Sequence, residues 1–395
     1  MKRDSRRIFS SAEQLGRFSP ALLIRFAHKH PEDFKALIES GVIPPEDQAD
    51  KLDLAAMVPI LTSTGVSEEL ADALFMINAI ASPKNRGLLE SEMKRRSIIL
   101  PTPPAESHAD FVLRAWLHDP RLLEAAAFRV VMAARRSFAY FVPTETTVAA
   151  GIPTVTEATL SALNAKIRTN LGPKSRGRGL TVIPYLDSPA ADWYLIRRSR
   201  LPERITFHNE EEKEEHKSVW LRVFDVVVFD RLTGVLKVNC REGIEDVYRT
   251  AFGSVYARDM LFFDDRSIFT LAPLRSADIT TLDCRDIDGL AHVALEYCEF
   301  ERYRFNTLMK ESVQTGDWYA EVAGRSSPVP EGASVPSQAV FQISFTGRKN
   351  PTKCHVHQGN RLAFGRDEHA GPIEEFLRKR GFMQHVSVIR HDIAA

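Results

Sequence analysis

The sequence predicts an α+β fold, in which an N-terminal all-helical domain is followed by a domain on a mainly antiparallel sheet with a few helices. Three observations lead there. Helix-start signals recur through the first 145 residues, β-branched and aromatic runs dominate from about residue 180, and those runs follow one another without strict strand–helix alternation. Composition shifts divide the chain into a helical domain (1–145), a linker (146–160), an α+β domain with a basic loop and a hairpin (161–325), and a C-terminal β-β-α-β lobe packing on it (326–395).

The helical half is read from its caps. Ser19-Pro20 precedes ALLIRFAHKH and Asp119-Pro120 precedes RLLEAAAFRVVMAARRSF, in each case a capping residue with proline at the first helical position, where a missing N–H costs nothing. Ser67 opens a third helix, in which Leu70, Leu74, Ile77 and Ile80 recur at three- and four-residue spacing. His30-Pro31 separates two helices, because the residue before proline is pushed out of the α region. The helical period stops near Phe141-Val142-Pro143, and TETTVAAGIPTVTEAT has the composition of a linker.

Beyond it, strands are predicted at 180–186, 193–196, 219–229, 235–239, 268–274, 292–300, 339–345 and 353–357, with Asp230–Gly234 as a hairpin loop. Two helices are expected there, near 244–257 and at 372–380, the second opened by Pro372 and closed by Gly381.

The chain has 395 residues, 52 Lys plus Arg against 52 Asp plus Glu, and is 44% hydrophobic and 26% charged. Such a chain is neither disordered nor collagen-like, and its neutrality excludes a uniformly basic polyanion binder. Cys240, Cys284, Cys298 and Cys354 form no CxxC pair, which suggests neither a zinc knuckle nor a disulfide scaffold and fits a reducing compartment. The N-terminus lacks an apolar signal core and no run is long enough to cross a membrane, so a soluble, cytoplasmic protein is expected.

Neutrality conceals a segregation of charge. Residues 1–150 are balanced, Ser161 to Arg204 carries a net +6, and Glu210 to Phe300 a net −8. The basic segment contributes the candidate phosphate contacts Lys166, Arg168, Lys174, Arg176, Arg178, Arg197, Arg198 and Arg200. Within it GPKSRGRGL alternates cations with small residues, a composition that brings guanidinium forks and backbone N–H groups to phosphate oxygens; the competing reading is a solvated loop. The segment matches neither a Walker A loop nor a dinucleotide fingerprint. Two further clusters, Lys94-Arg95-Arg96 and Arg135-Arg136, read as basic residues complementing helix C-termini. The run NEEEKEEH at 209–216 reads as a solvated acidic loop.

Two patterns offer chemistry. In Cys354-His355-Val356-His357, strand alternation places both imidazoles on one face, about 6–7 Å apart, within reach of one metal ion. This His-x-His pair resembles the metal-binding part of the HUH endonucleases, whose nucleophile is a tyrosine; no tyrosine follows His357, so no nucleophile carries over. A third ligand would have to come from residues such as Asp367, Glu368 or His369. The second pattern, Asp225 and Asp230 with Lys237, has the residue types of a D…(D/E)xK nuclease, although Val235 stands where that pattern needs a carboxylate. There is no GxSxG, Asp283, Asp286 and Asp288 miss EF-hand spacing, and Trp193-Tyr194, Trp220 and Trp318-Tyr319 read as sheet residues.

The function expected from these residues is binding without catalysis and without a cofactor. The partner would be nucleic acid or a protein of a nucleic-acid-handling complex, contacted through the basic segment. The alternatives are a metal-dependent phosphodiesterase or nuclease and a protein–protein scaffold.

Overall fold

The computed structural model describes residues 8–384 except 64, 101–106, 145–154, 173–175, 178, 189–190, 201–202, 209–213, 220–221, 242, 276–278, 305–306, 315–335 and 366–369. The chain forms two compact units, Met1–Met132 and Ala133–Ala395. Helices fill the first and a large antiparallel sheet the second, so the fold is α+β.

In the first unit the helices are α1 (Ala12–Leu15), α2 (Pro20–Lys29), α3 (Lys35–Glu39), α4 (Leu54–Thr62), α5 (Glu68–Ile80), α6 (Arg86–Arg95), α7 (His108–His118) and α8 (Pro120–Ala133). Ser67 and Asp119 cap their helices as read from the sequence, whereas Ser19 stands at the start of α2 without a side-chain capping bond. The Ser67 hydroxyl accepts from the Leu70 N–H at 3.1 Å, and the Asp119 carboxylate accepts from the Arg121 N–H at 3.0 Å. The periodic residues Leu70, Leu74, Ile77 and Ile80 are all fully buried, as an apolar stripe facing a core requires. Phe26, His30 and Trp116 stack in that core, Phe26 edge-on to Trp116 at 5.0 Å and His30 against it at 5.4 Å.

In the second unit the strands are β1 (Ser137–Pro143), β2 (Thr181–Ser188), β3 (Ala191–Ser199), β4 (Glu203–His208), β5 (Glu214–Val219), β6 (Arg222–Asp230), β7 (Leu236–Asn239), β8 (Phe263–Asp264), β9 (Leu290–Arg304), β10 (Thr307–Gln314), β11 (Pro336–Phe345), β12 (Thr352–His357) and β13 (Arg361–Ala363). The main sheet runs β10-β9-β11-β12-β13-β1-β7-β6-β3-β2, with β8 on β1, while β4 and β5 pair separately. Helices α9 (Glu157–Leu171), α10 (Glu245–Tyr256) and α11 (Ala370–Lys379) accompany it.

Helices α9 and α10 cover one face. Leu163, Ile167, Tyr248 and Phe252 form a buried layer with Phe141, Tyr194, Ile196, Val227, Phe229 and Leu236. On the other face α11 sets Phe376 against Phe341 of β11, and its Glu374 accepts from Tyr140 Oη at 2.9 Å. Strands covered on both faces read as unbroken apolar runs, which explains Val226-Val227-Val228-Phe229, all buried.

Several elements differ from expectation. Ser137–Pro143, read as the end of the helical half, is a strand between β13 and β7; its four buried residues Phe138 to Phe141 show no alternation because both faces are covered. Glu157–Leu171 is a helix beginning inside the segment read as a linker, with Thr156 capping Thr159 at 3.2 Å and Leu163, Ile167 and Leu171 as its buried stripe. The strand expected at 268–274 reduces to single bridges from Phe269 to Gly359 and Met383, followed by a 3-10 turn over Ala272–Arg275. Part of the acidic run lies in β5; residues 209–213 are outside the described residues. The hairpin at Asp230–Gly234 is as expected: the Asp230 carboxylate accepts from Leu232 and Thr233, and Gly234 takes φ +70°. Among the described residues, no helix is long and apolar enough to cross a membrane.

Candidate phosphate-binding cleft

The basic segment does not fold into one surface. Lys166 and Arg168 lie on α9, whose apolar side covers the Ile196 face of the sheet. Arg197 is on the opposite face of β3, donating to Thr181 Oγ1 at 3.2 Å. Arg176 and Arg200 are half-buried, and Lys174 and Arg178 fall outside the described residues.

Arg198 corrects the expectation most sharply, because it is an interior residue. Its side chain and that of Asp225 are 0% and 2% exposed, and Arg198 Nε donates to Asp225 Oδ2 at 2.6 Å. Tyr248 Oη of α10 donates to the same oxygen at 2.6 Å. Burial works against the Arg198 charge, but Asp225 and Tyr248 together outweigh it and hold the guanidinium pKa above its ordinary value. Burial also raises the Asp225 carboxyl, with Arg198, Tyr248 and Arg135 pulling the other way. A guanidinium so enclosed and occupied is not available to an external phosphate.

The nuclease pattern is not assembled either. Asp225 and Asp230 are five residues apart on β6, about 17 Å by strand rise, and alternation puts them on opposite faces. Asp230 caps the hairpin, and Lys237 pairs with Glu374 at 3.1 Å. The three aspartates of LDCRDIDG do not converge on a cation site: Asp283 pairs with Arg285 at 2.6 Å, and Asp286 with Arg380 and with Lys379. In the Lys94–Arg96 cluster, Arg95 and Arg96 clamp buried Glu92 at 2.6 and 2.7 Å.

The structure does bring basic groups together elsewhere. In β12 Cys354 and Val356 are buried, so Lys353, His355 and His357 share the other face. Register places His355 opposite Ala363 and His357 opposite Arg361, while Ala139 of β1 faces both Arg361 and Val238. The histidines therefore lie on the same sheet face that α9 and α10 cover over β7, β6 and β3. Arg361 pairs with Glu245, the first residue of α10, at 2.8 Å, which marks where that helical cover stops.

Beyond it lies an open cleft of about 630 Å³. Arg136, Arg348, Lys353, His355 and His357 line it together with Thr352 and apolar residues, and among the described residues no carboxylate does. Arg136 is fixed by its own backbone, its carbonyl accepting from the Phe364 N–H at 3.0 Å at the end of β13. Arg348 comes from the turn between β11 and β12. Lys353 Nζ is held by Glu296 Oε1 of β9 at 2.5 Å.

Burial lowers the His355 pKa, with Lys353 adding to the effect and Glu296 opposing it. Burial likewise lowers His357, helped by His355, Arg361 and Lys310 and opposed by Glu299. Both shifts favour the neutral imidazole, which has one N–H to donate.

The pair is on one face, as alternation requires, but among the described residues no group of three His, Cys, Asp or Glu side chains could hold a metal ion. Asp367, Glu368 and His369 lie outside the described residues. Cationic neighbours oppose a bound cation and favour an anion. Of the aromatic pairs, Tyr194 is fully buried and packs on Phe252, whereas Trp220, Trp318 and Tyr319 are outside the described residues.

Arg348 and Lys353 escaped the sequence reading, and Arg136 was read only as a helix-end cation. The alternation Lys353-x-His355-x-His357 signals three basic groups on one face, but nothing local connects them to Arg136, more than two hundred residues earlier. Neither a protein-family model nor a curated protein matches this chain, so its function is argued from this geometry.

Proposed function

We propose that this protein binds nucleic acid, contacting phosphate in the cleft formed by β12, β13 and the turn before β12. One observation carries the reading: a cleft large enough for a ligand, whose charged lining among the described residues is wholly cationic. Arginine forks at Arg136 and Arg348 suit paired phosphate oxygens, Lys353 supplies a point charge, and the two imidazoles supply directional N–H donors. The contact surface of this reading is the cleft, in place of the run from Lys166 to Arg204.

Fluorescence anisotropy with a labelled oligonucleotide tests it. Neutralising one to three phosphate charges gives a log–log salt slope of about −1 to −3. Binding at low salt with that slope, lost in Arg136→Glu, supports the reading. Absence of binding at low salt, or binding indifferent to Arg136→Glu, removes it.

A further inference from the structure

The cleft's cations are concentrated at one place and do not continue as a stripe. On the same sheet face, neighbouring Lys310 is matched by Glu299 at 2.7 Å and Glu301 at 3.4 Å, and Arg361 by Glu245 at 2.8 Å. A phosphodiester strand carries one charge per nucleotide spread along its length, so gripping it takes cations in a row. A cluster of three cations and two imidazole donors around one concavity instead fits one compact group with several oxygens and more than one charge. A phosphomonoester is such a group, with a charge of about −1.5 to −2 at pH 7 and three strong acceptor oxygens.

Resting on the proposed nucleic-acid reading, we infer that the cleft takes a terminal phosphomonoester of an oligonucleotide and not its internal diester backbone. The Arg136 and Arg348 guanidiniums take paired oxygens of the terminal phosphate. His355 and His357, on one strand face about 6–7 Å apart, donate to it from the floor of the cleft. Lys353 exchanges part of its contact with Glu296 for the phosphate. Among the described residues of the lining, Phe364 is the one Phe, Tyr or Trp; it is buried in the wall and offers no stacking platform, so the terminal base goes unread and recognition is independent of its identity.

The experiment compares oligonucleotides of one sequence carrying a 5′-phosphate, a 3′-phosphate or hydroxyls at both ends, titrated into the full-length protein, with inorganic phosphate as competitor. The expected result is at least tenfold tighter binding of one phosphorylated form than of the hydroxyl form, an advantage cancelled by millimolar inorganic phosphate. Arg348→Gln and His357→Gln should each erase the difference; Arg348 is exposed, and unchanged thermal melting of both variants would show that the fold is intact. Equal binding of all three oligonucleotides, still weakened by Arg136→Glu, would overturn this inference and leave the backbone-binding reading standing. No binding of any of them would overturn both.

Discussion

Arg198 Nε and Asp225 Oδ2 lie 2.6 Å apart inside the sheet domain, on adjacent strands β3 and β6, beneath the hydroxyl of Tyr248. A charged pair enclosed between a sheet and a helix is held by mutual dependence: each partner is tolerable in the interior only while the other is present.

Removing one charge should therefore do more harm than removing both. Asp225→Ala is expected to cost about 3–5 kcal/mol, because it strands a buried guanidinium, whereas Arg198→Met with Asp225→Leu should cost much less. Urea unfolding of the two variants checks this, and equal losses would mean that the pair acts independently.

Glu92 gives the helical unit a pH dependence with a definite sign. Burial favours its neutral acid, yet Arg95 and Arg96 outweigh burial and hold the carboxyl below the usual range. Stabilisation from these ion pairs is present above the ordinary carboxylate value of about 4.3 and is lost as pH falls through it towards the folded value. Thermal melts between about pH 6 and pH 3 should fall less steeply for Glu92→Gln than for the natural chain, from a lower start at neutral pH.

Ser67 is tied at both ends of its role as a cap. Its hydroxyl donates to Asp33 at 2.5 Å while accepting from Leu70 N–H, and its own N–H donates to Asp33 at 2.7 Å. Ser67→Ala should cost about 1 kcal/mol by chemical denaturation, the ordinary worth of an N-cap.

Helix α9 owes its place to three buried residues. Ile167→Ala should destabilise the sheet domain by about 2–5 kcal/mol, as a fully buried aliphatic side chain does when truncated. A loss below about 0.5 kcal/mol, the range of a surface site, would mean that the helix does not pack as described.

Much of the fold was legible where local signals are strong. Ser67, Asp119-Pro120 and Asp230–Gly234 act within a few residues of themselves, and the structure bears each of them out. What escaped depends on distant partners. Ser137–Pro143 is apolar throughout because strands flank it on both sides and side chains cover both its faces, and such a run carries no period of its own. Glu157–Leu171 has a buried stripe only three residues wide amid Thr, Ser, Ala and Asn, so its amphipathicity is faint. The candidate site divides in the same way. The shared face of His355 and His357 followed from alternation alone, while the cations around them are supplied by Arg136 and Arg348 from other parts of the chain. Charge counted along residues 161–204 could not tell buried Arg198 from exposed Arg168, since burial is set by what packs on a strand.

The most direct test of the central claim compares two charge reversals of equal size in one binding assay at low salt. Arg136→Glu with Arg348→Glu alters the cleft, and Lys166→Glu with Arg168→Glu alters α9. Oligonucleotide binding lost in the first variant and retained in the second is the predicted result. Retention in the first with loss in the second would contradict the account and return the contact to the basic segment.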